Sequence, residues 1–270
     1  MLASFLVMLR PRQAAPIGRN TGRSLHALLL NMIRQVDPAL AEALHAEARV
    51  KPFTVSMLQG RFSERGRRRW VRPEEVYRVR YTVLSDAVST ALGYILMEKQ
   101  TYREPVMIDG ERYEIVDIVT DAAASDGWAG LSSFETLMEE CDALAKIRLE
   151  FASPTTFRQG DVNLLFPLPE SVFGSYVRRW NAVAPLEFDQ AKTLDAVATW
   201  VVAERYDLAT RVVPYGAAQY NGFVGYCEYR IFSEDTETLR LLNLLADFAL
   251  FAGTGQKTTQ GMGQTRRVAL

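Results

Sequence analysis

Val76-Tyr77-Arg78-Val79-Arg80-Tyr81-Thr82-Val83 alternates side chain by side chain, with apolar or aromatic residues at 77, 79, 81 and 83 and polar ones between them. A period of two over that length predicts a β-strand with one face in a core. Immediately before it, Phe53-Thr-Val-Ser-Met-Leu58 reads as another strand; immediately after, residues 86–97 carry helical spacing and a further strand is expected near 112–119. Further back, a helix from about Thr21 to Val36 sets Leu25, Leu28, Leu29, Met32, Ile33 and Val36 on one face. Asp37-Pro38 then restarts a short helix running to about Glu47, with Asp as N-cap and Pro at the first helical position. Leu2–Leu9 is the opening strand. Strand, helix, strand, strand, helix, strand is the βαββαβ order of a ferredoxin-like, RRM-like domain.

The second half repeats the plan. A strand at 145–151 leads through Ser153-Pro154-Thr155-Thr156 and Pro167-Leu168-Pro169 to helical patterns at about 170–182 and 189–204. Strands at 208–214 and 222–232, an apolar helix from about Thr236 to Phe251, a glycine-rich loop and a strand near 264–269 complete it. The fold class expected is α+β with two tandem ferredoxin-like domains, residues 1–125 and 140–270. The acidic, small-residue stretch at about 120–132 is the linker candidate. A chain of 270 residues suits two domains of this size.

Net charge is −1, but the charges are segregated. Residues 1–80 hold 15 Lys/Arg against 6 Asp/Glu, whereas residues 81–143 hold 3 against 13. A basic front end suits a polyanionic partner. Its densest part is Arg61, Arg65, Arg67, Arg68, Arg69 and Arg72, expected on a loop between two strands, where arginines also serve plain solubility. Cys141 and Cys227 lack ligand spacing, which favours reduced thiols in a cytoplasmic protein. The apolar start has no basic residue ahead of it and ends at Arg10-Pro11-Arg12, so neither a signal peptide nor a membrane span is expected.

Gly253-Thr-Gly255-Gln-Lys257-Thr-Thr-Gln-Gly261-Met-Gly263 carries four glycines and one charge. Such a loop can bring backbone N–H groups up to a phosphate unobstructed. It is not a Walker loop, because Gln256 and Phe251 stand where that motif needs glycine, and a dinucleotide fingerprint would need glycine at Thr258.

Only two histidines occur, His26 and His45. No His-x-His, Cys-x-x-Cys or acidic triplet suggests a metal, and none is expected, nor any other cofactor. Ser24 near His26 invites a nucleophile reading but lacks a convincing orienting acid in the sequence. His45 closes the short second helix and Lys51 follows six residues on. An imidazole that exchanges protons near neutrality beside a permanent ammonium suits RNA cleavage, in which the 2′-hydroxyl is already the nucleophile. A histidine at a helix end also serves structure alone.

Leu40-Ala-Glu-Ala-Leu-His45-Ala-Glu-Ala-Arg-Val-Lys51-Pro-Phe-Thr-Val-Ser56 resembles the helix-to-strand signature of the CRISPR repeat-processing endoribonucleases of the RAMP superfamily, and Phe251–Gln264 resembles their C-terminal glycine-rich loop. Phe151–Arg158, Pro167–Phe173 and Asn221–Gly225 match the same pattern, in the same order along the chain. The resemblance implies metal-independent cleavage of precursor CRISPR RNA within its repeats, giving guides with 2′,3′-cyclic phosphate ends. It places the general acid/base at His45 and a supporting lysine at Lys51. An active-site tyrosine of some members falls at Leu30 here, a departure; His26, one turn earlier, stands ready for that role. RNA contacts are then expected from Arg23, Arg67, Arg68 and Arg69 and from Gly253, Gly255, Lys257, Thr258, Gly261 and Gly263. The partners implied are repeat RNA and a multisubunit CRISPR interference complex, with no membrane; monomer and homodimer both stay open. The alternative is a non-cleaving RAMP-type RNA-binding subunit of an effector complex.

Overall fold

The computed structural model of the chain describes residues 1–46, 50–66, 68–101, 103–215 and 218–270. They form two compact units, Met1–Leu131 with Thr259–Gly261, and Ser132–Thr258 with Met262–Leu270. The first contains β1 (Leu2–Pro11), α1 (Gly22–Val36), α2 (Pro38–Ala46), β2 (Phe53–Val55), β3 (Tyr77–Val83), α3 (Asp86–Thr101) and β4 (Glu111–Val119). Its antiparallel sheet runs β2-β3-β1-β4, with a short strand, Val106–Ile108, folded back outside β4.

The alternation in β3 works as expected on one side: Tyr77, Val79, Tyr81 and Val83 are buried with Leu25, Leu29, Met32 and Ile33 of α1 and Leu92 and Leu96 of α3. Full burial of such side chains contributes about 1.5–3 kcal/mol each. On the other side the strand is covered as well, since Arg80 is only 2% exposed. Its Nε donates to Ser4 Oγ (2.9 Å) and to the Trp128 carbonyl (2.8 Å), and its guanidinium lies 5.1 Å from the Trp128 ring centre. A buried cation needs such partners. The 120–132 stretch therefore folds onto the first unit instead of hanging between domains, and Gly130–Ser132 pairs with β1.

Val36, expected on the buried face of α1, is exposed at the helix end. Asp37 closes α1 with its own N–H on the Ile33 carbonyl (2.7 Å) and opens α2 by accepting from Leu40 N (2.9 Å). The arginine-rich segment is not a loop. Ser63–Arg65 and Arg68–Val71 pair as a hairpin, and Ala15–Ile17 adds a third strand.

The second unit contains α4 (Phe134–Glu140), β5 (Lys146–Thr155), α5 (Pro169–Val183), α6 (Gln190–Trp200), β6 (Val201–Tyr215), β7 (Ala218–Ile231), α7 (Thr236–Ala252) and β8 (Thr265–Val268), with sheet order β6-β7-β5-β8. Both sheets thus carry their four main strands in the spatial order second, third, first, fourth. The chain is two tandem ferredoxin-like domains. The helix expected over 189–204 stops at Trp200, because the β-branched Val201 and Val202 open a long hairpin instead. Trp180 anchors this core: it stacks on Phe188 at 5.2 Å and meets Phe134 and Phe248 edge-on at 5.1 and 5.2 Å.

Among the described residues no helix is long and apolar enough to cross a membrane. Cys141 and Cys227 are free and buried.

Candidate active site

α1, α2 and the strand that follows them bring His26, His45 and Lys51 into one neighbourhood of the first unit. Helical spacing turns His26 toward β2, where its ring lies 5.5 Å from Phe53. Its Nδ1 sits 3.0 Å from the Thr259 carbonyl. A carbonyl only accepts, so Nδ1 carries the hydrogen and Nε2 keeps its lone pair. The His26 pKa is lowered below its ordinary 6.5: burial is the main cause, the Thr259 bond opposes it, and the charges of Lys51 and His45 add to the lowering. The imidazole is therefore a neutral, oriented base at pH 7.

His45 is exposed on the last turn of α2. Lys51 Nζ donates to the Leu44 carbonyl and lies 3.4 Å from that of His45. Both carbonyls belong to the last described turn of α2, so the ammonium sits on the side of the helix where backbone acceptors are negative. This fixes the charge relative to His45 through the backbone. Glu47, the expected end of α2, lies outside the described residues, as do Ala48 and Arg49. Leu30 is buried in the core.

Thr259 of the glycine-rich loop reaches His26 through its carbonyl, as part of Thr259–Gly261. Gly261 N donates to the Val55 carbonyl (2.9 Å) and Gly261 bridges to Ser56 in parallel register. The segment passes so close to α1 that a Cβ on Gly22 would fall on the Gln260 carbonyl. Arg23, at the start of α1, is exposed. Ser24 does find an acid, since its hydroxyl donates to Asp109. Asp109 binds that hydroxyl directly, with no base between them, so no nucleophile triad results.

In the arginine hairpin, Arg68 is exposed, Arg67 lies outside the described residues, and Arg69 is partly committed. Arg69 Nη2 donates to the Gly18 carbonyl (2.7 Å) and its guanidinium lies 3.9 Å from the Phe62 ring centre. Arg72 is ion-paired with Glu75 (2.9 Å).

The glycine-rich loop differs most from expectation. Gly253 N donates to the Ala249 carbonyl, Gly255 N to Ser175 Oγ (3.0 Å) and Gly263 N to the Pro154 carbonyl (3.1 Å). With Gly261 on Val55, all four glycine amides are engaged inside the protein and are not presented to a phosphate. What the glycines supply is close approach: Gly255, at φ +74°, would drive a Cβ into the Thr156 carbonyl. Thr258 Oγ1 accepts from Arg179 Nη2 (2.7 Å), and Arg179 also donates to the carbonyls of Ala252 (2.6 Å) and Gly255 (3.1 Å). Burial, with the charge of Arg178 adding, holds the Arg179 pKa down to about 10. Lys257 lies 4.3 and 4.5 Å from the ring centres of Tyr215 and Tyr220 at the tip of the β6–β7 hairpin, a cation–π clamp invisible in the sequence. Among the described residues no group of three or more His, Cys, Asp or Glu converges with metal-holding spacing.

Comparison with known proteins extends over both units. The family model described as CRISPR Cas6 N-terminal domain matches residues 1–139, and that described as CRISPR-associated endoribonuclease Cas6 matches residues 149–265. A CRISPR-associated endoribonuclease Cas6 of Mycobacterium tuberculosis is 29% identical over 136 residues, 50% of this chain and 43% of that protein, so the match spans less than half of the relative's length. In fold, the chain resembles a Cas6 product complex (TM-score 0.85, 24% identity, 99% of each chain) and Thermus thermophilus Cas6 (TM-score 0.75, 23% identity, 99% and 98% of the two chains). On these matches the chain belongs to the CRISPR-associated endoribonuclease Cas6 family.

Proposed function

We propose that the protein is a cytoplasmic endoribonuclease that cleaves precursor CRISPR RNA within its repeats, without a metal ion, by attack of a ribose 2′-hydroxyl on the adjacent phosphodiester. His26 Nε2 takes the 2′-hydroxyl proton, the charges of Lys51 and His45 neutralise the phosphorane, and His45 returns a proton to the departing 5′-oxygen. The products are a 2′,3′-cyclic phosphate and a 5′-hydroxyl, and no water is consumed in this step. The observation that carries the reading is the His26 imidazole held in one tautomer by the Thr259 carbonyl, within electrostatic reach of two further basic side chains. General acid–base help of this kind contributes about 10²–10⁴-fold in rate. Arg23, Arg67 and Arg68, with the clamped Lys257, would hold phosphates without reading sequence. A non-cleaving RNA-binding subunit would have no use for an oriented neutral base beside a second histidine and a lysine.

Incubating the purified protein with the repeat RNA of its own genomic neighbourhood, in excess EDTA, should give cut RNA whose upstream fragment ends in a cyclic phosphate. A 2′-deoxyribose just upstream of the cut should stop cleavage and leave binding intact. His45→Ala should slow the reaction by at least roughly a hundredfold with little loss of affinity. Cutting that vanishes in EDTA and returns only with a divalent ion would sink the metal-free chemistry; continued cutting of the deoxy substrate would sink the internal nucleophile.

A further inference from the structure

The glycine-rich loop borders a cleft of about 370 Å³ in the second unit that the proposed chemistry does not use. That volume lies within the range of small-ligand sites. One wall is apolar, made by Phe157, Leu194 and the backbone at Gly174; Phe157 is fixed from behind by Phe223, with ring centres 6.1 Å apart. The chain at Gly255 and Gln256 adjoins it, a Cβ on Gly255 lying 3.5 Å from the Phe157 ring. Because Gly255 has no side chain and packs on the Thr156 carbonyl, this stretch is rigid backbone. Gln256 Nε2 donates to Asn163 Oδ1 (2.7 Å) and its N–H to the Thr156 carbonyl (3.0 Å), so its amide has a set orientation.

Hydrogen-bonding groups of both kinds sit around this space: the Ser171 hydroxyl, the Gln190 amide and the Gln256 amide. Two cations, Arg158 and Arg178, line it against one carboxylate, Glu170, so the lining carries a net positive charge. Arg158 is paired with Asp161 at 3.3 Å, but both side chains are largely exposed, and such a pair yields readily to a better anion. An apolar patch, amide donors and acceptors and two cations around one space match the parts of one nucleotide. An apolar ligand would strand the amides, and a bare phosphate would leave the Phe157 and Leu194 wall uncovered.

We propose that this cleft takes one unpaired nucleotide of the repeat RNA, its base against the Phe157–Leu194 wall and its flanking phosphates on Arg158 and Arg178. The proposal rests on the reading that this chain binds repeat RNA. It also gives the glycine loop a part in binding that its engaged amides do not supply.

The test is an abasic scan. The repeat RNA is synthesised with a 2′-deoxyribose at the mapped cut and with the base removed at one unpaired position at a time. Binding is measured for the wild type and for the Arg178→Ala/Gln190→Ala double variant, two exposed positions whose substitution leaves the core intact. For intact RNA the double variant should raise Kd about tenfold, and in the wild type one abasic position should raise it by about as much. The same abasic site should cost the double variant less than about twofold, because base and cleft are then lost together. Equal penalties in both proteins at every position would overturn the pocket while leaving the ribonuclease reading untouched. A wild type that binds the repeat no better than an unrelated RNA would overturn both.

Discussion

Gly22→Ala tests whether Thr259–Gly261 holds the candidate active site together. In an ordinary helix this substitution is favourable by about 1 kcal/mol. Here the new Cβ would fall on the Gln260 carbonyl and within 2.9 Å of Gly261 N, and these are backbone atoms that cannot rotate away. Overpacking of that kind costs about 1–3 kcal/mol. Relief requires the segment to lift, which breaks the Gly261 N bond to Val55 and the His26 bond to Thr259, each contributing about 1 kcal/mol. The net destabilisation is about 2–4 kcal/mol, a drop in melting temperature on the order of 10 °C for a unit of this size. Chemistry should suffer more than binding: a misplacement of about 1 Å in a catalytic group can cost about a hundredfold in rate. The assays are a thermal melt and single-turnover cleavage at saturating protein. Gly93→Ala in α3 is the control, because its Cβ would meet nothing within 4 Å; that variant should melt higher and cut normally. A Gly22→Ala protein that behaves like the Gly93→Ala control would refute the claim that Thr259–Gly261 orients His26.

The depressed His26 pKa makes stability depend on pH in one direction: above about 6.5 the imidazole is neutral folded or unfolded, and as pH falls below that the unfolded chain takes the proton first, so stability declines until the lower folded pKa is passed. Urea melts from pH 7.5 to 5 should show this decline in the wild type and a shallower one in His26→Gln; parallel curves would mean that His26 is not desolvated. Trp180→Ala removes a fully buried ring touching Phe134, Phe188 and Phe248 and should cost about 3–5 kcal/mol. A loss under about 1 kcal/mol in urea denaturation would show that the second unit does not pack on this ring.

The fold was legible where the pattern is local. The alternation of Tyr77, Val79, Tyr81 and Val83 and the apolar face of α1 each fix an element within one window of sequence, and the order of elements then leaves few topologies. What escaped depends on partners far away in the chain. Nothing near Arg80 says that Trp128 will cover it, and nothing in 120–132 says that a small-residue stretch will dock on β1. At the candidate site the scarcity of histidine and the family resemblance pointed to His26, His45 and Lys51, and the structure puts them in one neighbourhood, but the carbonyl that selects the tautomer of His26 comes from Thr259, 233 residues later. Glycine composition announces that backbone must pass close to something. It does not say whether that something is RNA or the protein's own Thr156 and Gln260.

The electrostatics of His26 bear on why three basic groups share a site in which no described carboxylate is among the groups that shift its pKa. Lys51 and His45 each make protonation of His26 harder, so before substrate enters the imidazole is kept as a base. On the proposed mechanism, an incoming phosphodiester reverses the sign of that field. Its charge grows as the phosphorane forms, when a second negative charge develops on the phosphoryl oxygens, so the imidazolium created by proton transfer becomes stabilised at the moment it appears. Burial strengthens both halves of the effect, because it raises the cost of a lone charge and the gain from a compensated one. Lys51 can serve in this way even though its ammonium sits on backbone carbonyls of α2: the role asks for a fixed positive potential, and the Leu44 and His45 carbonyls hold that charge in place beside the last described turn of the helix that carries His45.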